Sequence, residues 1–206
     1  MTRTTARLAL FLAALLLAGP ASADARADLK AAYEKFIAAT SFRATMTDLE
    51  TGRTVNQIEF VAPDRFAITI EGGMRQVVIG RTMHMNIGGR TMSMPLPEQI
   101  NPSQYRNQKA LDDLTQDIVV TRRPDSSEAG EPASVFHFAS TADGKPTETL
   151  TWVSKASGLP IQIQTNGGDG SKNYRYQIRY RDFNDPSIVI SAPGAPAAPA
   201  TQPRAL

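Results

Sequence analysis

Cysteine is absent from all 206 residues. That absence excludes disulfides, thiol catalysis, thiolate metal sites and attachment of a lipid at a signal-peptide cysteine. Histidine occurs only as His84 and His137, far apart in sequence. No Gly-x-Ser-x-Gly, His-Glu-x-x-His or phosphate-loop motif is present, so nothing in the chain points to a known catalytic constellation. Long apolar runs are scarce. The longest, Leu8–Gly19, has twelve residues, whereas a membrane-spanning helix needs about 20. An excess of one charge is missing too. The chain has 22 basic and 20 acidic residues, and two of the basic ones, Arg3 and Arg7, lie in a leader that has no acid. The remainder is balanced, which leaves no basic footprint for neutralising phosphates and excludes nucleic acid as a partner.

What the chain does contain begins with that leader. A basic start, the apolar run and the small residues Ala21-Ser22-Ala23 make up a secretory signal peptide. Cleavage is expected after Ala23, with Ala25 as the alternative. The mature chain is expected to be a soluble periplasmic protein without a lipid anchor. Residues 24–191 are enough for one domain with its own core. From Ala192 onward the sequence APGAPAAPATQPRAL is rich in proline and alanine and is expected to be a disordered tail.

Leu29, Tyr33, Phe36 and Ile37 recur at helical spacing, so Asp28 to Ala39 is expected to be an amphipathic helix, capped by Asp24 or Asp28. After Ser41 the period changes to two. Short alternating segments follow, separated by turn signals at Thr51-Gly52, Pro63-Asp64, Gly72-Gly73, Gly88-Gly89, Asp143-Gly144, Gly158 and Asn166–Gly170. Tyr174 to Arg181 alternates most regularly, and Ile188 to Ile190 reads as a last short strand. Pro95 to Pro102 interrupts the series. Pro102 to Leu114 reads as a short helical lid, and Pro124 to Pro132 as a polar hairpin loop or connection. The count is about ten or eleven strands and one firm helix, a mainly β (α+β) domain. A long antiparallel sheet with so little helix must curl to cover its apolar face.

The segment Met74–Pro97 carries methionine on alternate positions, Met83 and Met85, then Met92 and Met94. Strand alternation sends each pair to one face. Across the glycine turn the pairs can share that face and form an adaptable apolar surface. The same residues also suit Cu(I), although His84 lies between Met83 and Met85 and so points to the opposite face.

Five stretches in order resemble one family: SFRATM at Ser41, IEFVAPDRFAI at Ile58, QVVIGRTMHMNIGG at Gln76, TWVSKASGLPIQI at Thr151 and YRYQIRYRDFNDP at Tyr174. Behind a signal peptide and a short helix, this order is similar to the LolA/LolB-like and LppX/LprG-like carriers of lipids and lipoproteins. The resemblance implies an open half-barrel, a curved antiparallel sheet with helices on its concave side. It also implies acyl chains bound between sheet and helices, no catalysis, and transport between membranes. Related folds act as envelope-stress sensors.

Phe60, Phe66, Ile68, Met83, Met85, Met92 and Met94 are the acyl-cavity candidates, and each could equally be ordinary core under the helix. No metal, cofactor or catalytic residue is expected. The expected partners are lipid or lipoprotein acyl chains, membrane-bound donor and acceptor proteins and, transiently, a membrane surface, met by a monomer. A protein-binding sensor or chaperone and a Cu(I) binder are the alternatives. Asp112-Asp113, Asp182 with Asp185, and the Arg175, Arg179 and Arg181 stripe are read as solvated or capping groups.

Overall fold

The N-terminal α-helix forms because small and apolar residues recur along one stripe, and Gln108–Lys109 and Leu111–Asp112 are also helical. Ala25, Leu29 and Ala32 are each no more than 2% exposed, and Tyr33 and Phe36 continue the stripe half-buried. The computed structural model describes residues 21–97, 106–109, 111–112, 118–142, 145–166 and 175–194. Within it α1 spans Ala21–Ala38. It therefore begins earlier than the amphipathic pattern implied, and neither Asp24 nor Asp28 sits at its cap. Asp24 falls in the first turn instead, where a carboxylate is favoured by the helix dipole. Among the described residues no helix is long and apolar enough to cross a membrane.

Eleven strands follow among the described residues: β1 Ser41–Asp48, β2 Thr54–Val61, β3 Arg65–Ile70, β4 Arg75–Ile79, β5 Thr82–Ile87, β6 Arg90–Pro95, β7 Val120–Glu128, β8 Glu131–Ala142, β9 Lys145–Ser154, β10 Pro160–Thr165 and β11 Tyr176–Arg181. They form one antiparallel sheet in the order β6-β5-β4-β3-β2-β1-β11-β10-β9-β8-β7. Two meanders thus meet where β1 pairs with β11, and β6 and β7 remain as edges. The sheet is curved and unclosed, an open half-barrel.

The Gly88-Gly89 turn shows why strand pairing is so regular. Both glycines have positive φ, 58° and 81°, which a two-residue hairpin needs for its twist to match the strands. The same chemistry corrects the reading of Pro124 to Pro132. There the strands run through the polar stretch, and only Ala129 and Gly130, at φ 51° and 85°, make the turn. Pro124 cannot donate to the ladder, and the register shifts between Arg123 and Ser126, which accommodates it.

Ile188 to Ile190 is not a strand. This segment crosses the outer face of the sheet, where Ile190 packs on Ala67 and Val77 and its carbonyl accepts a 3.0 Å bond from Arg65 Nη1. Ile188 and Ile190 are buried while Val189 is 67% exposed, the same alternation that a strand would show. A second outer cluster joins Ala133, Val135 and Trp152. The outer face therefore has apolar patches of its own between its charges. Tyr174, Asp113, the Asp143-Gly144 turn and most of Asn166–Gly170 lie outside the described residues, as do 1–20 and 195–206.

Candidate functional site

Register decides which side chains share a face. Directly opposed residues lie on the same side of the sheet, and successive pairs link Phe42, Phe60, Phe66, Val78, Met83 and Met94 into one row. A second row, parallel to it, runs Ala44, Ile58, Ile68, Gln76, Met85 and Met92. All seven candidate residues lie in these two rows. This is the inner face, the side on which α1 packs, because Phe36 of α1 meets Phe42 at 5.2 Å and Tyr180 at 5.1 Å between ring centres. The same face continues through Tyr180 and Ile178 into Phe136, Phe138 and Val120, where Ala25, Leu29 and Ala32 cover it.

The two halves of this face are unequal. Helix α1 lies over the β7–β11 half, and Tyr33 Oη shares a 3.2 Å hydrogen bond with Thr151 Oγ1 there. The β3–β6 half is more open. Phe66, Ile68, Met83, Met85 and Met94 are half-buried and Met92 is 47% exposed. Phe60 differs from the other six. It is 1% exposed and lies in an aromatic chain, 5.0 Å from Phe42 and 4.9 Å from Phe66.

Arg106, from the segment expected to be a lid, sits on top of that chain. Its guanidinium carbon is 4.6 Å from the Phe36 ring centre, 5.2 Å from Phe42 and 4.1 Å from Phe60. Nη2 donates to the carbonyl oxygens of Phe36 at 2.7 Å, Ile37 at 3.1 Å and Ala39 at 3.2 Å. These are carbonyls that the end of a helix leaves without intrahelical donors, and a cation there also complements the dipole. Burial lowers the Arg106 pKa to about 10, so it stays cationic at neutral pH. Burial also raises the pKa of Tyr180, whose ring lies beside Phe36 and Phe42. Leu111 is 3% exposed, and Asp112 reaches Lys30 of α1 at 2.8 Å. The described part of the segment is thus tied to the helix and to the inner face.

Sequence reasoning missed Arg106. Its only signal was a lone arginine inside the proline-flanked stretch, and the alternation rule has no purchase outside a strand.

The outer face takes most of the charge. Arg43 contacts Glu59 at 3.3 Å, Asp182 at 3.1 Å and Asp185 at 3.4 Å, and Glu59 also holds Arg75 at 2.9 Å. Asp182 and Asp185 therefore have structural partners. Asp185 also accepts a 2.8 Å bond from the Ser187 N–H. Arg175, Arg179 and Arg181 are paired with Asp48, Glu128 and Asp182. His137 is half-buried on the outer face, with Nε2 2.7 Å from Glu148. His84 points outward as expected, with Nδ1 2.8 Å from Ser93 Oγ, and so stays apart from the four methionines. Among the described residues no group of three or more His, Asp or Glu side chains could hold a metal.

No protein-family model and no curated protein sequence matches the chain. Solved structures do match. The chain is similar to the lipoprotein LppX of Mycobacterium tuberculosis, with a TM-score of 0.62 at 11% identity, covering 82% of this chain and 99% of that one. It is also similar to LprF from Mycobacterium bovis, with a TM-score of 0.63 at 13% identity, covering 85% and 99%. At that identity the likeness is one of fold. The unclosed sheet, helix α1 on its inner face and these matches agree: the chain has the fold of LppX and LprF.

Proposed function

We propose that this protein is an exported carrier that shelters the acyl chains of a lipid or lipoprotein on the β3–β6 half of its inner face. The observation that supports this most is the pair of registered rows from Phe66 and Ile68 to Met94 and Met92. They form a largely apolar surface, half-buried to exposed, continuous with a rigid aromatic core. Burying apolar area yields about 0.8 kcal/mol per methylene and is indifferent to chemical detail, which suits cargo that must be held and released. Methionine adds adaptability, because its unbranched thioether fills irregular gaps. The fold, shared with a lipoprotein and with LprF, is compatible with this reading.

Mechanistically the protein does no chemistry. Cargo enters as the Arg106 segment moves off the aromatic chain, hydrocarbon occupies the inner face, and polar heads stay at the rim or at a polar group near it. Transfer follows when an acceptor site binds the cargo more tightly, so populations shift without catalysis. In this reading the carrier domain is residues 24–191 and it works in the periplasm, the compartment expected from the leader sequence.

Native mass spectrometry of the protein purified gently from periplasm, with organic extraction of any adduct, tests the proposal. Heterogeneous adduct masses that extract as acylated lipid are the expected result. A clean apo mass that persists after incubation with membrane vesicles overturns it, and a metal-sized adduct would favour Cu(I) instead.

A further inference from the structure

Arg106 is bonded unevenly. Nη2 has three carbonyl acceptors, while Nη1 is buried without any hydrogen-bond partner. A guanidinium carries five N–H donors in a planar fork, and a buried donor left unmade is costly. Three phenyl rings surround this one, so water cannot supply the missing acceptor cheaply, and an ion pair formed here would be strengthened by its apolar setting. No carboxylate among the described residues acts on it. Among the described residues Tyr180 is the titratable neighbour it feels. The acids nearest in sequence register, Glu59, Asp182 and Asp185, are held by Arg43 on the outer face.

Its place in the fold matters as much as its bonding. The guanidinium stands over Phe60 on β2, where the aromatic chain gives way to the half-buried Phe66 on β3. From there the apolar rows run across to β6. At about 4.8 Å per strand spacing, the four spacings from Phe60 on β2 to β6 span about 19 Å.

Resting on the acyl-binding reading above, we propose that Arg106 anchors the head of the bound ligand: Nη1 pairs with an anionic oxygen, a carboxylate or a phosphate, at the end of an acyl chain that lies across β3–β6. The site then selects acidic lipids over neutral ones of the same length. The planar fork fits either oxyanion, which a lysine ammonium would meet only as a point charge. The Tyr180 ring lines the same aromatic box.

The test compares a long-chain fatty acid, the alkyl phosphate and the primary alcohol of the same chain length, each titrated into the mature protein at neutral pH. The native protein is expected to bind one or both anions at least about tenfold more tightly than the alcohol, the factor that a charge-assisted hydrogen bond supplies. Arg106→Met is expected to abolish the preference, so that the acid, the alkyl phosphate and the alcohol bind alike, whatever affinity they then share. Arg106→Lys is expected to restore part of the preference. Preference for the acid alone identifies a carboxylate cargo, and preference for the alkyl phosphate alone a phosphate one. Equal binding of all three by the native protein overturns the anchor and leaves acyl binding standing. An anion preference that survives Arg106→Met also overturns the anchor. Binding of none of the three overturns both. Because the native comparison needs no variant, the result stands even if Arg106→Met fails to fold.

Discussion

The guanidinium carbon of Arg106 lies 4.1 Å from the centre of the Phe60 ring, and Phe60 itself is 1% exposed. Of the seven inner-face candidates, this one is packed as core. Phe60→Ala is therefore expected to cost about 3–5 kcal/mol, as truncations of buried aromatic residues do. Met92→Ala, at 47% exposure, is expected to stay within about 0.5 kcal/mol. Urea unfolding of the two variants checks this. Comparable losses would mean that the two rows are packed alike and that neither end is free for cargo.

Lys30 and Asp112 form an exposed ion pair 2.8 Å apart that ties the Arg106 segment to α1. Exposed pairs contribute little to global stability and weaken with salt. Asp112→Asn is expected to leave the unfolding midpoint nearly unchanged and to speed uptake of a fluorescent fatty acid in stopped flow. Raising the salt concentration should bring the native rate toward that of the variant. A large loss of stability with unchanged uptake would instead make the pair part of the fold's framework.

Met83 opposes Met94, and Met85 opposes Met92. Replacing all four with leucine nearly conserves volume and apolarity, so each change is expected to cost less than about 1.5 kcal/mol. Acyl capacity measured by displacement of a fluorescent probe should be retained. If the quadruple variant loses a Cu(I) adduct seen by native mass spectrometry while its lipid capacity is unchanged, the thioethers bind metal in addition. Loss of lipid capacity would show that methionine's flexibility, rather than apolar area, holds the cargo.

Acid is expected to destabilise the protein through its carboxylates. The Thr51 N–H, then that of Glu50, holds the Asp48 carboxyl below the usual range against partial burial, with Arg175 at 3.6 Å. The Ser187 N–H and Arg43 do the same for Asp185. A depressed folded pKa contributes stability that is fully present above the unfolded value, about 3.9 for aspartate, and is lost as pH falls through the folded value. The urea midpoint should hold from neutral pH to about 5 and decline below about 4. Asp48→Asn should lower the neutral plateau and flatten that decline. An Asn variant with an unchanged acid limb would remove Asp48 from the explanation.

The alternation of Phe66 with Ile68, and of Met83 with Met85, was readable from composition and period alone, and the register confirmed which residues share a face. The glycine turns fixed that register, so the strand number followed. Three features were not readable. Val77 and Val78 are both buried because the Ile190 segment covers the outer face behind them, and long-range covering of that kind leaves no local period. Ile188 and Ile190 alternate in burial like a strand yet pair with none, since burial pattern and ladder pairing are separate properties. Arg106 owes its role entirely to where the chain brings it, 70 residues after Phe36.

Photocrosslinking tests the inner-face site most directly. A fatty acid with a diazirine near its methyl end, irradiated on the mature protein and mapped by peptide mass spectrometry, should label residues between Ile68 and Met94, with Met85 and Met92 prominent. The unlabelled fatty acid should compete the labelling away. Labelling confined to the outer-face segment around Ile188–Ile190, or labelling that excess fatty acid does not reduce, would contradict an acyl site on the inner face.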